Sequence, residues 1–448
     1  MSAPELRRAI RVPHATALVV GTIIGASIFV QPSEITLRVP SVPGVLLVWL
    51  AAGAVTLIGA LVCAELASTF TRTGGVYVYL SEAFGPPVGF LWGWAMFWSM
   101  HSGIIAAVAV IFARYAGHLV PLTDPGSKLV AVGVILLLSA INYVGVRQGS
   151  RLQTAFTAGK LVAVALIVAL GVLLGGRVDA HFVEPATRAS IGAWDVLVAL
   201  GAGLFAFGGW HMVTYSSEET VSPRTTIPRA LALGTTIVTV TYLAMNAVYL
   251  YVLPLEQVAS STRVAADLAD VLLGPGGGSA IAGLVMFSTF GALAGIVLTG
   301  PRVYLAMARD GLLVRWAGAI HPRFQTPHRA IVLQAVWSSF LVATGTFRAL
   351  FTRVIYTEWI FFGILAVGLI LLRRRPGIVR DYAMPGYPVL PVIFVLASAA
   401  VVVSQVVADP VNTALGLGLV LIGLPVFLVS RAARSSAGEP GSVKETTD

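Results

Sequence analysis

The stretch "GTIIGASIFVQPSE", Gly21 to Glu34, decides how this chain is read. It lies inside the first long apolar run, yet it places Gly25, Ala26 and Ser27 where a continuous helix would be favoured, with Pro32 about two turns further on. Glycine frees the backbone to leave helical geometry. A break in hydrocarbon is tolerated only where the released N–H and C=O groups face protein or a cavity. The stretch therefore predicts a membrane helix opened for a purpose, with backbone groups offered to a ligand.

The rest of the chain supports a membrane setting. Of 448 residues, 57% are hydrophobic and 11% charged, with mean hydropathy +0.88, against roughly 25% charged in an ordinary soluble domain. Apolar runs of the roughly 20 residues a bilayer core requires recur at 13–38, 44–70, 86–113, 129–146, 152–175, 194–216, 229–253, 278–305, 330–347, 354–372, 387–407 and 411–430. The expected fold is an all-α polytopic membrane protein with twelve transmembrane helices. One transmembrane domain, 13–430, follows a short charged segment, 1–12, and the run after that segment is too long and lacks the small-residue cleavage site of a signal peptide. The polar residues 431–448, "RAARSSAGEPGSVKETTD", are expected to form a disordered tail.

A net charge of +9 raises nucleic acid as a partner, but that reading wants a basic stripe on a soluble domain. The positive charges alternate between loops instead. Arg7, Arg8, Arg11, Arg72, Arg147, Arg151, Arg224, Arg229, Arg309, Arg373, Arg374 and Arg375 fall on one side, with Arg431 and Arg434 after the last run. Fewer fall on the other, among them Arg38, Arg114, Lys128, Arg177, Arg188, Arg348 and Arg353. The bias places both termini in the cytoplasm and the chain in the cell membrane. The single cysteine, Cys63, lies in the second apolar run, which leaves no thiol for a covalent partner.

Interrupted apolar segments at matching places in two halves mark the site of many secondary transporters. The sixth run carries "GLFAFGGW", Gly203 to Trp210, five runs after "GAS". The offset predicts a five-plus-five inverted repeat, about 13–175 against about 194–373, with helices eleven and twelve (about 387–430) appended. Close helix packing is the competing account of such glycines. A half-helix N-terminus presents free N–H groups and a half-helix C-terminus presents free carbonyls. An amino acid brings the complements: its carboxylate suits the N–H groups of Ala26, Ser27 and Ile28, and its ammonium suits carbonyls near Ile23 and in "FAFGG". Phe205, Phe207 and Trp210 are candidates to cover an apolar substrate side chain, beside Ala206 and Gly208.

Lys160, in "FTAGKLVAVALIV", reads as the one charge deep in an apolar segment. It stands about 13 Å along the helix from Arg151, too far for easy snorkelling, so it is expected to stand in for a bound cation or to carry a proton. Glu65, near Arg72 and Thr73, suggests a structural or gating ion pair. His101 and His211 are expected to be hydrogen-bonded structural histidines, with His211 close to the site, and Glu358 is a further candidate. No metal-ligand spacing, cofactor motif or catalytic set stands out, so no metal, no cofactor and no enzymatic activity are expected.

Four blocks, "GTIIGASIFVQP", "AELASTFTRTGGVYVYLSEAFGP" (64–86), "GLFAFGGWHMVTYSSEE" (203–219) and "STFGALAGIVLTGPRVYLAMARDGLLVRWAGAIHPRFQTP" (288–327), resemble the amino acid-polyamine-organocation superfamily, and within it the L-type amino acid transporters. The resemblance implies a LeuT-like fold, alternating access and a site on broken helices one and six. It implies that Ile23, Gly25, Ala26 and Ser27 meet the substrate's backbone groups. Phe205 becomes the aromatic gate, with Gly208 and Trp210 beside it. Lys160 replaces a bound sodium ion, with Ser288 as its partner. Three positions depart from the usual pattern: Gly25-Ala26-Ser27 for Gly-Ser-Gly, His211 for an asparagine and Ala294 for an asparagine. Animal members join a glycoprotein through a cysteine between spans three and four. The corresponding loop here, "RYAGHLVPLTDPGSK", has none, which implies a monomer or weak homodimer without a disulfide-linked heavy chain.

The expected activity is sodium-independent transport of neutral L-amino acids, by exchange or with a proton. A proton-coupled importer of cationic amino acids or polyamines is the first rival and would want an acidic group near the site, for which Glu358 is available. A non-transporting amino acid sensor is the second and would want a longer cytoplasmic segment.

Overall fold

The computed structural model describes residues 5–176, 178, 191–274, 276–345 and 347–436, with the side chains of 118, 119, 347–355 and 431–436 excepted. Arg177, Arg188, the side chains of Arg348, Arg353, Arg431 and Arg434, and residues 437–448 of the expected tail lie outside that description. Apart from one bridge between Ile10 and Thr220, the regular elements among the described residues are helical.

In chain order they are α1 (Val12–Ile23), α2 (Gln31–Arg38), α3 (Val42–Thr69), α4 (Val76–Phe84), α5 (Pro86–Ala95), α6 (His101–Leu119), α7 (Asp124–Val144), α8 (Val146–Leu174) and α9 (Ala193–Ala206). There follow α10 (Pro223–Val252), α11 (Leu255–Ser260), α12 (Val264–Leu273), α13 (Gly277–Arg309), α14 (His328–Thr344), α15 (Phe347–Arg373), α16 (Val389–Ala408), α17 (Pro410–Leu421) and α18 (Gly423–Ser436). A wide turn at Met96–Met100 joins α5 to α6 without breaking the rod.

Helix starts follow local chemistry. Ser41 and Thr123 accept from the N–H groups of Gly44 (3.1 Å) and Gly126 (3.3 Å), with prolines in the first turns of α3 and α7, where the missing N–H costs nothing. The last helix runs to Ser436, past the boundary at 430 expected from sequence.

Ten helical stretches among the described residues are long and apolar enough to cross a membrane. The other two expected runs correspond to shorter elements. The first is divided into α1 and α2, and the ninth is α14, whose 17 residues span about 26 Å.

The outward faces show the inversion expected of a protein dissolved in lipid. On α8, Val162, Leu166 and Leu173 are exposed, while Gln153, Thr157 and Lys160 are buried. Polar groups collect inside, where they find partners, and alkyl groups face outward. That packing places α1 at the centre, against α8, α10 and α13.

Candidate functional site

The first break begins where Ile24 turns extended (φ −73°, ψ 92°). A tight three-residue turn, Ser27–Phe29, follows before α2. Four consecutive N–H groups, those of Gly25, Ala26, Ser27 and Ile28, donate no hydrogen bond to any described residue. Gly25, Ala26 and Ser27 are only partly buried. Unpaired donors of this kind are costly away from water, and four in a row, three of them on partly exposed residues, favour an anion just ahead of a half-helix.

The carbonyls that α1 releases are mostly taken. Lys160 reaches from α8, 1% exposed, and its Nζ donates to Gly21 O (2.9 Å) and Ile24 O (2.7 Å). Ser288 of α13 donates to Ile24 O (3.4 Å) or Gly25 O (3.3 Å). The ammonium thus caps the negative end of a helix dipole, which favours a cation there. Among the described residues no carboxylate pairs with it. Its path exists because position 291 is glycine: a Cβ there would lie 2.8 Å from the Lys160 Cε.

The second break ends α9 at Phe207 (φ −87°, ψ 0°) and turns at Gly209, whose φ of +101° strongly disfavours an L side chain. Space makes the same demand, since a Cβ on Gly209 would lie 3.2 Å from Thr22 O. The two breaks therefore touch. Thr22 Oγ1 is 3.2 Å from Gly209 O, 2.8 Å from Leu18 O and 3.1 Å from Val19 O, among which its single proton chooses. Ser27 Oγ lies 3.5 Å from Ala206 O. Tyr242 of α10 binds them from behind, its hydroxyl lying 3.1 Å from Ile23 O and 3.0 Å from Ala206 O.

The aromatic candidates separate. Phe205 is 39% exposed, whereas Phe207 is buried against Tyr242 (ring centroids 5.0 Å) and Trp49 (6.4 Å). Trp210 is buried against Phe362 (5.0 Å) and His211 (5.4 Å). Of the three, Phe205 is the exposed one, while Phe207 and Trp210 are buried in these aromatic contacts.

Residues 10–428, which include every group just described, match the family model described as amino acid permease. The chain belongs to that family. The human large neutral amino acids transporter small subunit 2 is 32% identical to this permease over 439 residues, 95% of this chain and 80% of that protein. The serine/threonine exchanger SteT of Bacillus subtilis is 31% identical over 435 residues, 96% of this chain and 98% of the exchanger. The mouse Asc-type amino acid transporter 1 is 30% identical over 441 residues, 96% and 82%.

Around its centre the permease differs from the sequence reading in three places. Glu65 does form an ion pair, but with Arg373 of α15 (2.7 and 2.5 Å), and it also accepts from Met384 N (2.8 Å). Arg72, its neighbour in sequence, pairs with Asp310 (2.9 Å), because α3 ends at Thr69 and the chain turns away before Arg72. Lys160 is not alone as a deep charge. Arg302 of α13 is fully buried and joins Glu219 through two bonds of 2.7 Å, with Leu298 O as a third acceptor. That charge lay in the eighth apolar run, and its position was the available signal. The histidines also diverge. His101 Nε2 is 2.9 Å from Ile296 O, as expected of a structural histidine. His211 makes no hydrogen bond through either nitrogen, and its Nε2 lies 3.5 Å from Glu358 Oε1. Ala294 lies buried in α13.

Tyr242 was missed altogether, since a tyrosine in an apolar run resembles ordinary packing. Gln153 was missed too. It is fully buried, and its amide has no hydrogen-bond partner at either atom.

Proposed function

We propose that this permease moves neutral L-amino acids across the cell membrane without sodium, by exchange or with a proton, through alternating exposure of the site between the two breaks. Support comes chiefly from the four unpaired N–H groups at Gly25–Ile28, which match a substrate carboxylate. The substrate's ammonium would share the carbonyls of Ile23 and Ala206, at the ends of α1 and α9, with the one proton of the Tyr242 hydroxyl, which can serve only one of them at a time. In this reading the substrate is recognised by what all amino acids share, and Phe205 closes over its side chain. Lys160 and Ser288 occupy the place of a coupling cation. The interrupted α1–α2 and the short α14 complete twelve spans in a five-plus-five repeat with both termini cytoplasmic.

The named relatives support the substrate class: a large neutral amino acids transporter, a serine/threonine exchanger and an Asc-type amino acid transporter. The name of the first makes it a small subunit. For this chain we propose a single subunit or weak homodimer, because its only cysteine is buried in α3.

Purified protein in liposomes, offered a panel of labelled amino acids with and without internal amino acid, sodium or a proton gradient, tests the reading. Uptake that needs internal amino acid and ignores sodium is the expected result for exchange, and uptake into empty liposomes driven by protons identifies symport. Strict sodium dependence, or binding without any uptake, would overturn it.

A further inference from the structure

A second site of a different kind lies where α1 and α8 begin. A cavity of about 450 Å³ there is lined by Arg7, Arg8, Arg11 and His14 from one segment and by Arg147, Ser150 and Arg151 from the first turns of α8. Among the described residues, none of these five arginines has a carboxylate within ion-pairing distance. Five arginines elsewhere are paired: Arg72, Arg224, Arg302, Arg309 and Arg373 with Asp310, Asp381, Glu219, Glu218 and Glu65, whereas exposed single arginines such as Arg229 and Arg315 line no part of this cavity. Glu219, whose carbonyl accepts from Ala9 N and Ile10 N, and its neighbour Glu218 are already committed to Arg302 and Arg309, and Glu5, two residues before Arg7, is exposed and pairs with none of the five. Loop arginines that only set topology need lie on one side of the membrane. They have no reason to converge on one concavity, where like charges repel unless an anion sits among them.

The α8 N-terminus adds to the same field. No side chain caps it, so its first N–H groups and dipole also favour an anion. A smaller cavity of about 190 Å³ against residues Val144, Gly145, Val146 and Gln148 shares Arg7 and Arg147 and adds Arg323. Arginine's planar fork suits phosphate oxygens in particular.

We propose that this pocket binds a phosphate-bearing anion that bridges the N-terminal segment to α8. Its position at the ends of two spans sets it at headgroup depth, so the phosphate is drawn from an anionic lipid or from solution. The bridge has a mechanical meaning. Between the arginines, the N–H groups of Ala9 and Ile10 donate to Glu219 O (2.8 and 3.0 Å), and Val221 N donates back to Ile10 O (2.8 Å). An occupant would hold the start of α1 to α8 just as Lys160 holds its end, and through Ile10 it would also hold the segment that follows the second break.

The test is thermal unfolding of the purified full-length protein, titrated in one arm with phosphatidylglycerol against phosphatidylcholine and in the other with inorganic phosphate against chloride. The variants are R147Q/R151Q and, independently, R7Q/R8Q. The charge-matched control is R229Q/R315Q, two exposed arginines outside the pocket. The expected result is a saturable rise in midpoint whose half-saturation weakens about tenfold or more in either pocket variant and stays unchanged in the control. A rise with phosphatidylglycerol alone supports the site and assigns it to a headgroup; a rise with inorganic phosphate supports it and assigns it to a soluble anion. No saturable rise in either arm, or equal weakening in pocket and control variants, overturns the proposal. Because the readout is binding, failure of the transport reading leaves this test intact.

Discussion

Replacing Lys160 with methionine, which keeps the length and most of the volume of the side chain, removes two charge-assisted hydrogen bonds, to Gly21 O and Ile24 O. Each such bond contributes about 1.5–3 kcal/mol. Against this, the ammonium is fully buried, and exchanging a buried charge for a well-packed apolar group returns several kcal/mol of desolvation. For the fold as a whole the two effects largely offset, so the unfolding temperature should move by only a few degrees, on the order of a 1 kcal/mol change. For the end of α1 nothing offsets the loss. The tether between α1 and α8 weakens by roughly 3 kcal/mol, enough to shift a two-state equilibrium by about a hundredfold. The expected outcome is exchange in liposomes reduced more than tenfold at matched protein density, with a near-normal melting curve. Uptake within twofold of the unsubstituted protein would refute the reasoning, and so would loss of uptake accompanied by collapse of the melting transition.

Gly209→Ala combines a strained φ with contact against Thr22 O and should cost about 1–3 kcal/mol, read as a lower unfolding midpoint together with impaired transport. Tyr242→Phe removes the donor shared by Ile23 O and Ala206 O at a cost of about 1 kcal/mol; the measurement is KM for exchange, expected to change several-fold with expression intact. Phe205→Ala should slow translocation more than it weakens substrate binding, so unchanged turnover would remove the gate role. Arg302→Leu strands a fully buried Glu219 carboxylate and should destabilise by about 3–5 kcal/mol, seen as poor recovery of folded protein, whereas Arg302→Leu combined with Glu219→Leu should recover much of the loss.

What could be read from the sequence divides along a physical line. Both interruptions were legible because glycine in an apolar run is locally anomalous, and Lys160 was legible because a charge there is expensive. Even its placement was implied by its distance from Arg151. Tyr242 and Gln153 were not, since each belongs to an apolar helix and acquires meaning only when another helix brings carbonyls or an amide's empty shell beside it. The partner of Glu65 was misread for a related reason. Nearness in sequence suggested Arg72, while the turn after Thr69 carries that residue to Asp310 and leaves Glu65 facing Arg373 from a helix some three hundred positions away. Phe205 and Phe207, two residues apart and chemically identical, divide because Phe205 sits in the last turn of α9 with 39% exposure, while Phe207 lies past its end, where the chain turns in against Tyr242.

The ammonium at the end of α1 differs from a bound ion in one respect that bears on energetics. It is covalently attached and stays with the protein at every turn of the cycle. A dissociable cation in that position would enter on one side and leave on the other, releasing the free energy of its own gradient each time. A tethered one that keeps its proton releases none. Concentrating work must then be drawn from a second mobile solute, a counter-moving amino acid or a proton. Where that solute is another amino acid, the carrier redistributes species between compartments while leaving the total amount on each side unchanged.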